Sequence, residues 1–192
     1  DADQVGDVKY TWELNRHQFL ASWALEEARA GDGDAARAVV RLILEWIAAN
    51  PLWTGINWTS SLELALRILS WGIALDLCSG ASTDPRVQDA ICVSVAEQAN
   101  FIRHTLSLYS SANNHLMGEL VGLLAAAAFF PEAHRVREHA EFARALILRE
   151  AGRQNFPDGV NREGAIYYHH YTLEYLLTAA ALFRRLGWEL PV

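Results

Sequence analysis

Polar residues stand beside aromatic residues in four short segments of the sequence, each near a predicted helix end. An asparagine in such a place can donate its amide N–H groups to an anion, together with the free backbone N–H groups of the first helical turn. A tyrosine can carry a proton, although an ordinary phenol needs a nearby cation before it acts as a base at neutral pH. Such groups could bind a carboxylate and move a proton beside it. The segments cover residues 12–18, 55–63, 109–115 and 158–163, and the last runs into 167–171.

The same residues also have structural interpretations, which the sequence alone leaves open. Asn113 and Asn114 precede an apolar helix, where asparagine commonly caps the first turn. Tyr168 and its neighbouring tyrosines recur at helical spacing and could be core residues. His169 and His170 are adjacent, so their side chains point about 100° apart on a helix, and no histidine and carboxylate at ligand spacing accompany them. We therefore predict no metal and no cofactor.

The composition restricts the class of partner. The net charge is −7, and no stretch is rich in lysine or arginine, whereas a nucleic-acid surface needs a basic face. An acidic ligand would therefore need a local cluster of arginines against the overall charge. No apolar run reaches the roughly 18 residues of a membrane span, so we predict neither a nucleic-acid nor a membrane partner. Cys78 and Cys92 lie in apolar helical surroundings and are predicted to be reduced.

Helical periodicity runs through the chain, and no segment alternates as a strand would. The breaks between helices coincide with turn residues, such as Gly31 to Asp34, Asn50-Pro51 and the turn from Ser79-Gly80 to Asp84-Pro85. The predicted helices cover 9–29, 34–49, 60–78, 85–108, 113–130, 133–153 and 162–186.

Long helices with short connections predict successive antiparallel hairpins. A bundle, a solenoid and an α/α toroid all fit this pattern, but no repeat of fixed period supports a solenoid. The longer connections, around 50–60, 108–114 and 154–162, would share one face of a ring of hairpins. We therefore predict a single all-α domain over 1–192, an incomplete α/α toroid, since the odd number of helices indicates an unfinished ring.

Four blocks, in this order, resemble heparinase II/III-like polysaccharide lyases and their alginate-lyase-like relatives. The resemblance spans residues 7–186 and implies an α/α toroid that a longer chain joins to a C-terminal β domain. We expect that β domain of the same parent chain as a partner, and we favour the periplasm or the cell exterior as the compartment. The blocks are Asp7-Val-Lys-Tyr-Thr-Trp-Glu-Leu-Asn-Arg-His17, Asn57-Trp-Thr-Ser-Ser-Leu-Glu-Leu-Ala-Leu-Arg67, Asn113-Asn-His-Leu-Met-Gly-Glu119, and Asp158-Gly159 with Glu163 and Tyr168-His169.

The reaction that the resemblance implies is β-elimination at a 4-linked uronate of an acidic polysaccharide. It requires removal of the C5 proton, neutralisation of the adjacent carboxylate and protonation of the leaving O4. By resemblance Asn114 neutralises the carboxylate, with Asn113 as the alternative, and Tyr168 is the catalytic tyrosine. His115 and His169 are the expected helpers, Glu119 is expected to orient His115, and a nearby arginine would lower the tyrosine pKa. The expected substrate-binding residues are Arg16, Asn57, Trp58, Arg67, Asn113, Glu119 and Glu163.

We expect seven of these residues to converge on one concave face, namely Arg16, Asn57, Trp58, Arg67, Asn114, His115 and Tyr168. A uronate C5-epimerase would use the same proton abstraction, and a non-catalytic sugar-binding fragment would keep only the groove. A toroid glycoside hydrolase would instead need two carboxylates that flank the bond. Trp53 and Trp58 remain either sugar-stacking platforms or core residues. The carboxylates available for hydrolysis are Glu63, Glu119, Asp158 and Glu163.

Overall fold

The structure is a computed structural model that describes residues 6–31, 33–78 and 84–190. Within these ranges the chain is all-α, and an isolated antiparallel bridge between Asn155 and Asn161 is its sole β feature. In the same ranges no helix has the length and apolar character of a membrane span. The helices are α1 (Val8–Asn15), α2 (Phe19–Ala30), α3 (Asp34–Ala49), a 3₁₀ turn (Ile56–Trp58), α4 (Ser61–Leu77), α5 (Pro85–His104), α6 (Asn114–Phe129), α7 (Val136–Gln154) and α8 (Ile166–Arg185).

The most deeply buried helix is α6. It is apolar around its circumference and buried along most of its length, as expected for a helix enclosed by others. It packs against α4, α7 and α8. It lies close against α4 at Gly122, where an added Cβ would lie 2.4 Å from the Cβ of Ala65. The start of α6 is therefore held in place by the core of the domain.

One predicted helix is wrong. The pattern over 9–29 predicts a continuous helix, but the chain forms α1 and α2 with a break at His17, whose φ is 57°. The His17 ring is buried, its Nδ1 accepts a hydrogen bond from Trp71 Nε1 at 3.0 Å, and it packs edge-on to Trp46. These tertiary contacts hold a backbone conformation that non-glycine residues seldom adopt.

The other predicted boundaries need smaller corrections. The helix predicted over 85–108 ends at His104, and the one predicted over 162–186 begins at Ile166. Asp84 caps α5 by accepting a hydrogen bond from the backbone N of Arg86 at 3.0 Å, with proline as the first helical residue. The predicted turn at Ser79-Gly80 lies outside the described residues.

Candidate functional site

A groove of about 210 Å³ lies where the first turns of α4, α6 and α8 meet α1. These three helix starts place the positive ends of their dipoles on one side of the domain. The groove is therefore a favourable place for an anion although the whole chain is acidic. It is lined by Lys9, Trp12, Glu13, Arg16, Ser60, Leu62, Glu63, Leu66, Asn114, His115, Tyr168, Tyr171 and Tyr175.

Arg16 reaches this groove from the end of α1, but its charge is already paired. Its Nε donates to Glu63 Oε2 at 2.7 Å and its Nη2 to Glu63 Oε1 at 3.0 Å. The hydrogen bonds to Glu63 raise the pKa of Arg16 above its usual value. Nη1 lies 4.0 Å from Glu13 Oε1, beyond hydrogen-bond distance. The break at His17 places Arg16 at the groove, and the bidentate pair fixes the plane of its guanidinium group.

The two asparagines at the start of α6 have separate roles. Asn113 is the N-cap, and its side-chain Oδ1 accepts a hydrogen bond from His115 N at 3.1 Å. Asn114 is the first helical residue and lines the groove. Its Nδ2 lies 3.0 Å from each carboxylate oxygen of Glu163, and its backbone N donates to Glu163 Oε1 at 3.1 Å. Capping thus occupies Asn113, and Asn114 is the amide available to the groove.

Three tyrosines of α8 face the groove. Burial raises the pKa of Tyr175 to about 12. The pKa of Tyr171 is also raised to about 12, first by the hydrogen bond between its hydroxyl and that of Tyr167, 2.8 Å away, and then by burial. Both therefore keep their protons at neutral pH. Tyr168 also lines the groove and is partly exposed to solvent.

Arg67 is not a groove residue, so the prediction that it lies on one concave face with Asn114 and Tyr168 is wrong. Its side chain is completely buried, with Nε donating to Asn15 O at 2.8 Å and Nη1 to Gln98 Oε1 at 3.1 Å. The guanidinium carbon lies 4.0 Å from the centroid of Trp46. Burial lowers the pKa of Arg67 to about 9. This arginine links α4 to the end of α1 and to α5.

Asn57 and Trp58 are also internal, which corrects their predicted place on the concave face. Asn57 Nδ2 donates to Asn50 Oδ1 at 2.7 Å and to Asn15 Oδ1 at 3.1 Å. Trp58 is 4% exposed and packs edge-on to Phe101, so it is a core residue. Together they support the segment that leads into α4. Trp53, in contrast, is 62% exposed.

Glu119 and His169 make contacts that differ from the expected ones. Glu119 is buried and accepts hydrogen bonds from Ser107 N at 2.8 Å and Ser107 Oγ at 2.7 Å, so it anchors the 105–108 segment and does not orient His115. Burial raises the pKa of Glu119. His169 Nδ1 accepts a hydrogen bond from Asn161 N at 3.3 Å. His169 does not line the groove.

The family follows from comparison with known proteins. Residues 2–190 match the model of the heparinase II/III N-terminus family. The chain belongs to this family. It is 25% identical over 186 residues to a heparin-sulfate lyase of Bacteroides stercoris, an alignment that covers 86% of this chain and 28% of that protein. This heparinase II/III chain therefore spans less than a third of that relative.

Solved structures confirm the α/α toroid type of fold for this heparinase II/III domain. The crystal structure of a heparan sulfate lyase from Pedobacter heparinus superimposes with a TM-score of 0.74, at 23% identity, over 94% of this chain and 29% of that one. A heparinase III superimposes with a TM-score of 0.71, at 21% identity, over 95% of this chain and 31% of that one.

Several groove residues of the heparinase II/III domain were not selected from the sequence. Tyr171 and Tyr175 follow Tyr168 at helical spacing, so the stripe is visible in the sequence, but the pattern does not show which side faces solvent. Trp12 lines the groove and donates from Nε1 to Ile56 O at 3.0 Å. No group of three or more potential metal ligands occurs among the described residues.

Proposed function

We propose that the full-length protein is a polysaccharide lyase that cleaves a uronate-containing acidic polysaccharide by β-elimination. The observation that carries this proposal is the contact between Asn114 and Glu163. The Asn114 amide and backbone N–H already bind a carboxylate at 3.0–3.1 Å, at the edge of a groove that also contains Tyr168 and His115. An amide that binds a carboxylate beside a tyrosine is the combination that the reaction requires.

In the proposed reaction the uronate carboxylate binds at the start of α6. Donation from Asn114 stabilises the charge that develops on that carboxylate when the C5 proton leaves. The C5 proton passes to His115, which lines the groove. The C5–H electrons form the C4–C5 double bond, the C4–O4 bond breaks, and the leaving oxygen takes up a proton. Tyr168, which lines the same groove, is the proton donor to O4. Further groups, among them those of the C-terminal β domain, come from parts of the parent chain beyond these residues.

The carboxylates of the described residues support elimination over hydrolysis. A glycoside hydrolase needs two carboxyl groups on opposite sides of the scissile bond. Of the four candidates, Glu63 lines the groove, and it is bound by Arg16 through two hydrogen bonds. Glu13 also lines the groove, but it lies 4.0 Å from the same guanidinium group, so the two carboxylates are on one side of the groove and do not flank a bond. Glu119 is bound to Ser107, and Asp158 lies on an exposed turn. The groove residues contributed by α8 are tyrosines, not carboxylates.

Heparin and heparan sulfate are the first substrates to test, because the similar proteins are described as lyases of these polymers. The experiment incubates the full-length protein with heparin, heparan sulfate, alginate and other uronate polymers, and follows the ultraviolet absorbance of the unsaturated product. Proton exchange at C5 without absorbance would identify an epimerase. New reducing ends without absorbance would identify a hydrolase. Binding without turnover would identify a non-catalytic domain.

On the best substrate, Tyr168→Phe tests the proposed proton donor. We expect kcat to fall at least a hundredfold, as for loss of a general acid, with the melting temperature and substrate binding retained because the ring remains. The control is Tyr10→Phe, which removes an exposed hydroxyl from α1 that does not line the groove. Tyr168→Phe activity within threefold of wild type would exclude Tyr168 as the proton donor.

A further inference from the structure

Glu163 makes contacts that substrate binding does not require. Its carboxylate receives the Nδ2 and backbone N–H groups of Asn114, and these are the donors that the substrate carboxylate would need. Glu163 itself does not line the groove. Its side chain therefore acts on Asn114 and not directly on a molecule bound in the groove.

The segment that carries Glu163 is attached to α8. Asn161, which is 2% exposed, accepts a hydrogen bond from Glu163 N at 2.9 Å through its Oδ1. Its Nδ2 donates to Thr172 Oγ1 at 3.2 Å and to Gln154 O at 3.1 Å. A chain of hydrogen bonds thus runs from α8 through Asn161 and Glu163 to Asn114 at the start of α6. It connects the helix of Tyr168 to the amide across the groove.

We propose that Glu163 is a positioning residue that selects one orientation of the Asn114 amide, an inference that rests on the proposed lyase function. A terminal amide can turn by 180° and exchange its oxygen for its NH₂ group. An ionised carboxylate only accepts hydrogen bonds, so it is satisfied by the NH₂ orientation alone. One N–H then binds Glu163, and the other remains free to donate to the uronate carboxylate. In the opposite orientation the amide oxygen would face an anion.

The variant Glu163→Gln tests whether Glu163 orients the Asn114 amide or only links α8 to α6. Glutamine has nearly the same size, but its amide can accept from Asn114 or donate to it, so both orientations of Asn114 become satisfied. The attachment between α8 and α6 is kept while the selection is lost. We expect kcat of the full-length protein to fall about tenfold, with KM changed less than twofold and the melting temperature unchanged.

The matched control is Asp158→Asn in the same loop. Asp158 Oδ1 accepts a hydrogen bond from Val160 N at 3.1 Å, and the side chain is exposed, so this variant loses the same charge without affecting Asn114. We expect wild-type kcat and KM. If Glu163 were merely a nearby negative charge, its removal would favour an acidic substrate, and KM would fall with kcat unchanged. That result, or a Glu163→Gln kcat within twofold of wild type, would overturn the proposal.

A second measurement does not depend on turnover. In ¹⁵N-labelled protein the Asn114 side-chain amide should give one sharp pair of proton signals in wild type and in Asp158→Asn. In Glu163→Gln we expect two sets of signals or exchange broadening, because two orientations are populated. One sharp, unshifted pair in Glu163→Gln would overturn the positioning role. If the wild-type protein eliminates no uronate polymer, the proposed function is contradicted. The NMR comparison of the Asn114 amide still tests the orientation imposed by Glu163 in that case.

Discussion

At the scale of single residues, adjacent positions at the start of α6 differ completely in role. Asn113 accepts from His115 N and caps the helix, whereas Asn114 points its amide at Glu163 and the groove. The sequence identifies the pair but does not assign the roles, because either asparagine could be the cap. The assignment depends on where the helix begins, a boundary that sequence patterns locate only to within a few residues.

Alanine at each asparagine should separate the two roles. We expect Asn114→Ala to lower kcat of the full-length protein by roughly 10²–10³, as for loss of one donor to a developing oxyanion. Asn113→Ala should leave kcat within threefold and lower the free energy of unfolding by about 1 kcal/mol, the usual effect of losing an N-cap. Steady-state kinetics and urea unfolding of both variants check this. Equal losses of kcat in the two would show that the assignment is wrong.

Titration of His17 should change the free energy of unfolding of the domain. Burial, and secondly the charge of Arg67, lower its pKa to about 4, so the folded state binds the His17 proton less tightly than the unfolded state. Its stabilising contribution is present above the unfolded pKa of about 6.5 and is lost as pH falls from there towards 4. The pKa difference between the unfolded and folded states corresponds to a loss of about 3 kcal/mol in the free energy of unfolding.

The test compares wild type with His17→Asn, because asparagine tolerates a positive φ and does not titrate. We expect the wild-type free energy of unfolding to fall more steeply between pH 6.5 and 4 than that of the variant. His139, whose pKa is also lowered chiefly by burial, is present in both proteins and cancels in the comparison. Parallel pH profiles of the two proteins would contradict the burial of an uncharged His17.

At the scale of elements, the contact between α4 and α6 determines how the groove is built. Both helices begin at the groove, and their close approach depends on Gly122, which lies against Ala65. This contact could not be predicted from the sequence. A glycine within an apolar helix can mark a close helix contact or can simply be tolerated there, and the sequence pattern is the same in both cases. The periodicity predicts helices but not the pairs of positions at which they touch.

Gly122→Ala should destabilise the domain. The new Cβ would lie 2.4 Å from Ala65 Cβ and 2.5 Å from its Cα, and overpacking of this kind costs about 1–3 kcal/mol. Gly152→Ala is the control, because Gly152 lies in α7 with nothing within 4 Å of the added Cβ. There we expect a gain of about 0.4–1 kcal/mol from alanine's helix preference. Thermal or urea unfolding measures both, and a neutral Gly122→Ala would show that α4 and α6 can separate.

At the scale of the whole molecule, the sequence predicts the fold better than the site. Helical periodicity and the order of the four blocks were sufficient for the all-α toroid type of fold. Arg16, Asn114, His115 and Tyr168 line one groove, as expected. Arg67 was misplaced because α4 is buried on nearly every side, so a charged residue in it can be internal. Motif order identifies segments, but burial depends on neighbours distant in sequence.

The net charge of the chain and the local charges at the groove also differ. The net charge of −7 argues against an acidic ligand, and the expected cluster of arginines is absent from the groove, since Arg67 is buried and Arg16 is paired with Glu63. The starts of α4, α6 and α8 meet at the groove instead. In the lyase that we propose, the helix dipoles, the Asn114 side-chain amide and Lys9, which lines the groove, take the place of arginine side chains in attracting the uronate carboxylate.

The burial of α6 also affects how the site can change over time. Segments in the interior of a domain open only when most of the structure opens, whereas exposed loops open at little cost. Asn114 stands at the first turn of the most buried helix, and its partner Glu163 is attached through Asn161 to α8. Substitutions in the exposed loops can therefore accumulate without moving the amide. In the lyase that we propose, new substrate preferences would therefore arise at the rim of the groove, while the chemistry would be inherited unchanged from the core.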